Sequence, residues 1–276
     1  MFTFVDNIQD LAYLNKELLQ KPYVGVDTEF RRTTKNNMKL ALIQVNDDEE
    51  IYLIDAISIQ EPRDHASFLY SNHVTKVFHS FKEDLEAIYS WTKKNMKNIF
   101  DTQIANSFLD GDYAISYQGL VEQELDIILN KNETRSNWMR RPLTDSQLKY
   151  AALDVEYLIH LYKSQKEALS KTSKLKWLDQ DIERLLRITS SQVQIPKELV
   201  RSLSKAQETE ILIQFNRTVD EISKREKIHP TLFFSKKSQK DFLRLIYLEG
   251  LEAACNSITP WRDNLIREPI LDILEK

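Results

Sequence analysis

Residues 23–30 read YVGVDTEF and set two carboxylates two positions apart inside an apolar run. Aspartate and glutamate are depleted in strands, yet everything around them here favours one. Side chains alternate at period two, so Asp27 and Glu29 share one face, while Val24, Val26, Thr28 and Phe30 line the other. Two readings account for the pair. One is the solvated side of an antiparallel strand. The other is a metal site, because adjacent carboxylates repel until a divalent cation neutralises them. Eight residues alone do not choose between the two.

The flanking sequence supplies a context. Ile8, Leu11, Leu14 and Leu18 fall on one face of a helix over Ile8–Leu19. After YVGVDTEF come two further strand-like runs, MKLALIQV and EIYLIDAI, separated by the turn-like NDDEE. VTKVFHS reads as a fourth strand, FKEDLEAIYSWTKK as a helix, and NIFDT as a short fifth strand whose Asp101 caps the helix TQIANSFL. Three antiparallel strands followed by strand–helix–strand alternation predict an α/β fold with a mixed five-stranded sheet and flanking helices. From Thr144 onward the pattern is helical. ITSSQVQIP, residues 188–196, has no clear period and ends in Pro196, which marks a boundary. The expected organisation is a first domain over 1–190, a linker over 191–204 and a small all-α domain over 205–276.

Composition narrows the function. The 276 residues are 42% hydrophobic and 29% charged, ordinary for a globular protein of about two domains. No apolar run reaches the ~18 residues of a membrane span, and MFTFVDNIQDLAYL lacks the basic-then-apolar pattern of a leader. A cytoplasmic protein with no membrane partner is expected. Cys255 is the only cysteine, so neither an intrachain disulfide framework nor a cysteine-rich zinc site is available. Gly25, Gly111, Gly119 and Gly250 are the only glycines, leaving no G-x-G-x-x-G and no P-loop, and no nucleotide cofactor is expected. The net charge of −4 hides basic stretches. Lys131–Lys149 carries five Lys/Arg against two acids, and Glu221–Arg244 seven against three. Such runs are either solvated faces or surfaces for nucleic acid.

Two more carboxylates bear on the question. Asp84 lies one turn into the helix leaving the fourth strand, where Glu83 and Glu86 would complement the helix dipole equally well. Asp154 sits in YAALDVEYLIHLY, whose apolar residues cover nearly the whole helix. Such a helix is buried, and burying an unpaired carboxylate is costly. Tyr150 precedes Asp154 by four residues and shares its helix face.

With these residues in place the chain resembles the DEDD 3′–5′ exonucleases. VDTE, an Asp after HSFKED and Y-x-x-x-D on a helix are that superfamily's pattern, and FDTQIA, GLVEQ and ETRSNWMRRPLTDSQLKYAALDVEYL extend the likeness to ribonuclease D over roughly residues 2–180. Position 149 is Lys149 rather than histidine, which indicates the tyrosine subclass. WRDNLIREPILDIL is similar to the closing W-R element of the helical HRDC nucleic-acid-binding domain. The earlier W-R element appears instead as Phe215–Arg217.

The resemblance implies a ribonuclease H-like fold and two divalent ions, Mg²⁺ or Mn²⁺. Asp27 would bridge both ions, Glu29 and Asp154 would complete one site, Asp84 would support the other, and Tyr150 would orient the attacking water. It further implies an exoribonuclease releasing nucleoside 5′-monophosphates from single-stranded 3′ ends, with precursors of tRNA among its RNA partners. Phe30, His79, Arg135, Trp138 and Arg141 are candidate substrate contacts. A DNA exonuclease would carry the same catalytic residues, and a catalytically inactive nucleic-acid-binding scaffold would lack at least one of them.

Overall fold

In the computed structural model, which describes residues 2–34, 37–129, 136–190 and 205–275, six strands form one sheet. They are β1 (Phe2–Val5), β2 (Tyr23–Thr34), β3 (Asn37–Asn46), β4 (Ile51–Asp55), β5 (Thr75–Phe78) and β6 (Ile99–Asp101), in the order β1-β4-β3-β2-β5-β6. β3 runs antiparallel to both its neighbours, and all other pairings are parallel. The sheet is mixed as expected, with one strand more than the five read from the sequence. That addition is β1, whose four residues are too few to show a period. Its parallel pairing with Ile51–Ile54 on the sheet edge is a long-range contact with no local signature.

Among the described residues the first 171 positions carry six α-helices, α1 (Ile8–Leu18), α2 (Lys82–Thr92), α3 (Thr102–Phe108), α4 (Tyr117–Leu125), α5 (Asp145–Glu156) and α6 (Leu158–Lys171), and a short 3-10 helix at Arg63–Tyr70. α1 buries Leu11, Leu14 and Leu18 as its apolar stripe requires, and Asn7 caps it by accepting from the Asp10 amide. Asp101 accepts from the Gln103 amide at 2.9 Å, the expected cap of α3, and from the Phe81 amide at the start of α2 at 2.8 Å. A capping box of Thr144 and Gln147 starts α5.

Register decides which residues meet on the carboxylate face. Gly25, Asn46 and Ile51 lie across from one another in β2, β3 and β4, as do Asp27, Gln44 and Leu53, and then Glu29, Leu42 and Asp55. α5 covers this face, where Tyr150 and Ala151 pack with Ala41, Leu42, Leu53 and Trp138. The parallel β2–β5 ladder ends at Gly25 and Val77, so β2 continues past Gly25 without a partner on that side. A crevice at the carboxyl ends of the strands, where the order reverses, is where open α/β sheets bind ligands.

Beyond Glu29 the β2–β3 register slips, with Glu29 opposite Leu42 and Phe30 opposite Leu40, leaving Ala41 as the extra residue of a bulge. Its carbonyl accepts from Arg141 Nη2 at 2.8 Å. The same guanidinium holds Asp55 through Nε at 2.8 Å and Nη2, and donates to the carbonyls of Trp138 and Arg140. Arg141 thereby pins the segment before α5 onto the sheet.

The chain packs as two compact units, one through Gln103 together with Ile115–Glu167, the other Ile104–Ala114 with the residues from Ala168 on. The second contains α7 (Leu175–Ser190), α8 (Lys205–Glu226), α9 (Pro230–Phe234), α10 (Lys236–Glu249), α11 (Leu251–Asn256) and α12 (Pro260–Leu274). Its centre is the W-R element: Trp261 Nε1 donates to Asp181 of α7 at 2.9 Å, and buried Arg262 holds the same carboxylate and the Leu232 and Phe233 carbonyls. Phe215 is fully buried against Phe234 and Phe242, at 5.4 and 6.0 Å between ring centroids. The expected linker over 191–204 lies outside the described residues. Among the described residues no helix is long and apolar enough to cross a membrane.

Replacing Arg141 with Ala leaves Asp55 buried with only the Ser58 hydroxyl and Ile57 amide as donors, and is expected to cost about 3 kcal/mol. Burial alone would raise the Asp55 carboxyl, but bonds from Arg141, Ser58 and Ile57 hold it below 3.8. Its stabilisation is therefore present above that pH and lost as the pH falls through the lowered value. Urea unfolding should show a deficit for Arg141→Ala at pH 7 that shrinks below pH 3.8.

Candidate metal centre

β2 presents Asp27 and Glu29 on the face covered by α5, and α5 brings Asp154 down onto them. One carboxylate oxygen from each of Asp27, Glu29 and Asp154 lies within 4.8 Å of the other two. A cluster of oxygen donors carrying this much negative charge suits a hard divalent cation. Asp84, in the first turn of α2, stands outside that trio. It is buried, and its Oδ1 accepts from Thr28 Oγ1 at 2.5 Å on the opposite face of β2. Among neighbouring charges, however, Asp84 acts most strongly on Asp27. All four predicted carboxylates thus converge on the unpaired end of β2, with Asp84 approaching from the other side.

The electrostatics match this crowding. Burial first, then the charges of Asp84, Asp154 and Glu29, hold the Asp27 carboxyl well above its usual range. Burial likewise raises Asp84 to about 7, against the lowering by the Thr28 hydroxyl. The Tyr150 hydroxyl donates to Asp154, one helical turn on. Burial, followed by the Asp154 and Glu29 charges, pushes its pKa up. Tyr150 therefore remains a protonated donor aimed at the cluster.

An open cleft of about 540 Å³, including its mouth, is lined by Asp27, Glu29, His79, Tyr117, Tyr150, Asp154 and Leu158. Of the five candidate substrate contacts, His79 stands in it. Its Nε2 meets the Ile115 carbonyl and its Nδ1 meets Thr102 Oγ1, both at 2.9 Å, so its ring is fixed at the cleft wall. Phe30 is half-buried beside the bulge and does not line the cleft. Trp138 lies behind the site, buried with its ring 5.9 Å from that of Tyr150, and Arg141 is committed to Asp55 and the carbonyls. Arg135 is outside the described residues.

Tyr117 and Leu158 were not legible in advance. YAALDVEYLIHLY reads as one helix but breaks at Tyr157, where α5 gives way to α6. The Tyr117 hydroxyl causes the break by entering the backbone ladder: it donates to the Leu153 carbonyl at 3.2 Å and accepts from the Tyr157 amide at 3.0 Å. These two groups would otherwise bond each other. The Asn46 amide takes the freed Val155 and Glu156 carbonyls at 3.0 and 3.1 Å. Leu158 then presses onto Gly25, where a Cβ would come within 3.1 Å of the Leu158 Cβ. A side chain at 25 would require Leu158 to move by a few tenths of an ångström. Asp154 lies in the last turn of α5, three residues before Tyr157.

Comparisons with known proteins bear on the family and the fold. A family model described as 3′–5′ exonuclease matches residues 2–170. Ribonuclease D of Shewanella sp. (strain ANA-3) is 37% identical over 185 residues, covering 67% of this chain and 48% of that protein. Ribonuclease D of Xanthomonas oryzae pv. oryzae is 40% identical over 163 residues, 59% of this chain and 45% of its own length. The chain thus spans about half the length of these relatives. In structure it is similar to Escherichia coli RNase D, an exoribonuclease involved in structured RNA processing, with a TM-score of 0.62 at 22% identity over 100% of this chain and 74% of that one. That likeness speaks for the fold.

Two outcomes are expected. Between pH 3.8 and about 7 the unfolded chain has released the proton that Asp84 keeps in the folded one, so without metal stability falls as pH rises through this window. Melting scans in EDTA should show that fall, and Asp84→Asn should reduce it, the remainder coming from Asp27, whose raised carboxyl acts in the same direction. Tyr117→Phe frees Leu153 and Tyr157 to close their helical bond and swings Asp154 out of place. Circular dichroism should report a folded protein, while Mn²⁺ affinity drops about 10-fold, the scale for losing an orienting partner.

Proposed function

Because this chain belongs to the 3′–5′ exonuclease family, we propose that it is a divalent-metal-dependent 3′–5′ exoribonuclease releasing nucleoside 5′-monophosphates. The observation that carries this reading is the trio of Asp27, Glu29 and Asp154 oxygens, with the Tyr150 hydroxyl bonded to the third of them. Two relatives above 35% identity are named ribonuclease D, which supports RNA over DNA as substrate.

Asp27, Glu29 and Asp154, with Asp84 on the second side, would hold Mg²⁺ or Mn²⁺. When bound, such ions supply an activated water and stabilise the leaving 3′ oxygen of an in-line phosphodiester cleavage. The residues do the rest. Tyr150, kept protonated by its surroundings and donating its hydrogen bond to Asp154, orients the water through its hydroxyl oxygen rather than taking the water's proton. His79 presents a fixed ring at the cleft wall for the terminal nucleotide, and Tyr117 holds the α5–α6 junction that aims Asp154. An unstacked, single-stranded 3′ end fits a cleft of this kind, since bases must leave the stack to enter it. Precursors of tRNA and other small structured RNAs are the substrates we propose. The helical second unit, HRDC-like in its closing W-R element, is the proposed nucleic-acid module, with the basic excess over Glu221–Arg244 as its surface.

The test is digestion of matched 5′-labelled RNA and DNA oligonucleotides with Mg²⁺, Mn²⁺ or EDTA. Stepwise shortening of RNA, with release of 5′-monophosphates, should occur with either ion and stop in EDTA. Asp27→Ala should abolish it, and Tyr150→Phe should lower the single-turnover rate about 10²-fold with little change in packing. Preferential shortening of DNA would overturn the substrate assignment. An unaltered rate in Tyr150→Phe would remove the hydroxyl from the reaction.

A further inference from the structure

Gln44 on β3 is fully buried, and neither its amide nitrogen nor its carbonyl oxygen has a hydrogen-bond partner. Such a group is rare, because a buried amide loses its bonds to water and needs replacements. Its place in the sheet makes the vacancy informative. Gln44 stands directly across from Asp27 on β2 and from Leu53 on β4, on the face that α5 covers. Directly opposed residues of an antiparallel pair point the same way, with Cβ atoms about 4.5–5.5 Å apart. The neighbours on β3 sharing this face are Leu42, which is apolar, and Asn46, whose amide nitrogen is committed to Val155 and Glu156. The Asn46 oxygen already accepts from the Asp48 amide. Of the carboxylates on this face, Asp27 is the one directly across from Gln44.

We infer that Gln44 is a positioning residue for the cation site: its amide N–H₂ donates to Asp27 and holds that carboxylate turned toward Glu29 and Asp154. The inference rests on the divalent-cation reading given above. A carboxylate bound to a cation through one oxygen has a lone pair to spare on the other, and a fixed donor there sets its orientation. A strand-borne amide walled in by Leu42 and Leu53 is such a donor, rigid and shielded from water. The cost of the unpartnered amide is relieved when its N–H₂ bonds the Asp27 carboxylate. A merely structural glutamine would instead be bonded within the core, or replaceable by an apolar side chain of its own length without consequence for metal.

The test uses the full chain at pH 7.5, comparing wild type, Gln44→Met, Gln44→Leu and Asp27→Ala. Mn²⁺ affinity is read by electron paramagnetic resonance of the free ion, and melting temperature by circular dichroism with and without Mn²⁺. Gln44→Met keeps length and volume and removes only the amide. The expected result is Mn²⁺ binding weakened about 10–100-fold, the usual range for losing a residue that orients a ligand. The metal-free melting temperature should be unchanged or raised, because an unsatisfied buried group is gone. The gain in melting temperature on adding Mn²⁺ should shrink accordingly. Gln44→Leu is read the same way, and two variants that both fail to fold would make Gln44 a packing residue and overturn the inference. Wild-type affinity in Gln44→Met, with Asp27→Ala deficient, sinks this inference alone. A wild-type chain that takes up no Mn²⁺ overturns it together with the cation reading.

Discussion

Mutual repulsion among carboxylates at the free end of β2 is the constraint to which the first unit is built. Asp27, Glu29 and Asp154 are brought within 4.8 Å of one another, and Asp84 adds its charge from the far side. Each charge raises the cost of ionising the next, which is why Asp27 is held well above its usual range. The surroundings hold them regardless. β2 fixes two by alternation, α5 delivers the third, and Thr28 ties Asp84 from the opposite face. The β2–β5 ladder stops at Gly25, beyond which Asp27, Glu29 and Asp154 line the cleft. Stability must come from elsewhere, and Arg141, clasping Asp55 and the bulge carbonyl at Ala41, supplies part of it.

The way Asp154 is aimed shows how local structure is given up for geometry. An unbroken helix through Tyr157 would satisfy every backbone group at no cost. The chain interrupts it, and three separate residues make good the loss: Tyr117 bridges Leu153 and Tyr157, Asn46 takes two carbonyls, and Gly25 vacates room for Leu158. Each comes from a different element. The Leu153, Val155 and Glu156 carbonyls and the Tyr157 amide thus all keep partners at the junction, which fixes the end of α5 that carries Asp154.

In the second unit the W-R element serves as a core lock. Trp261 and Arg262 share the Asp181 carboxylate of α7, and Trp177 stacks on Trp261 at 5.1 Å. α7 therefore packs with the helices that follow it. The basic residues around it are a different matter. Arg217 and Arg225 stand exposed in ion pairs with Glu221 and Glu226, pairs that contribute little to stability.

The sequence by itself determined what rests on short-range periodicity and chemistry. The alternation in YVGVDTEF placed Asp27 and Glu29 on one face; the four-residue spacing put Tyr150 beside Asp154; Asp101 was readable as a cap. These follow from φ/ψ preferences and side-chain direction within a few residues. The tertiary structure alone decided which of these faces meet. β1 is visible only as a partner of β4, and Arg141 and Trp138, polar or amphipathic in the sequence, are turned inward by Asp55 and Tyr150. Tyr117 breaks a helix forty residues away from its own place in the chain. Gln44 looks like any polar strand residue until register sets it against Asp27. Contacts between residues distant in the chain leave no period to read, because the partner's identity depends on how the whole backbone closes.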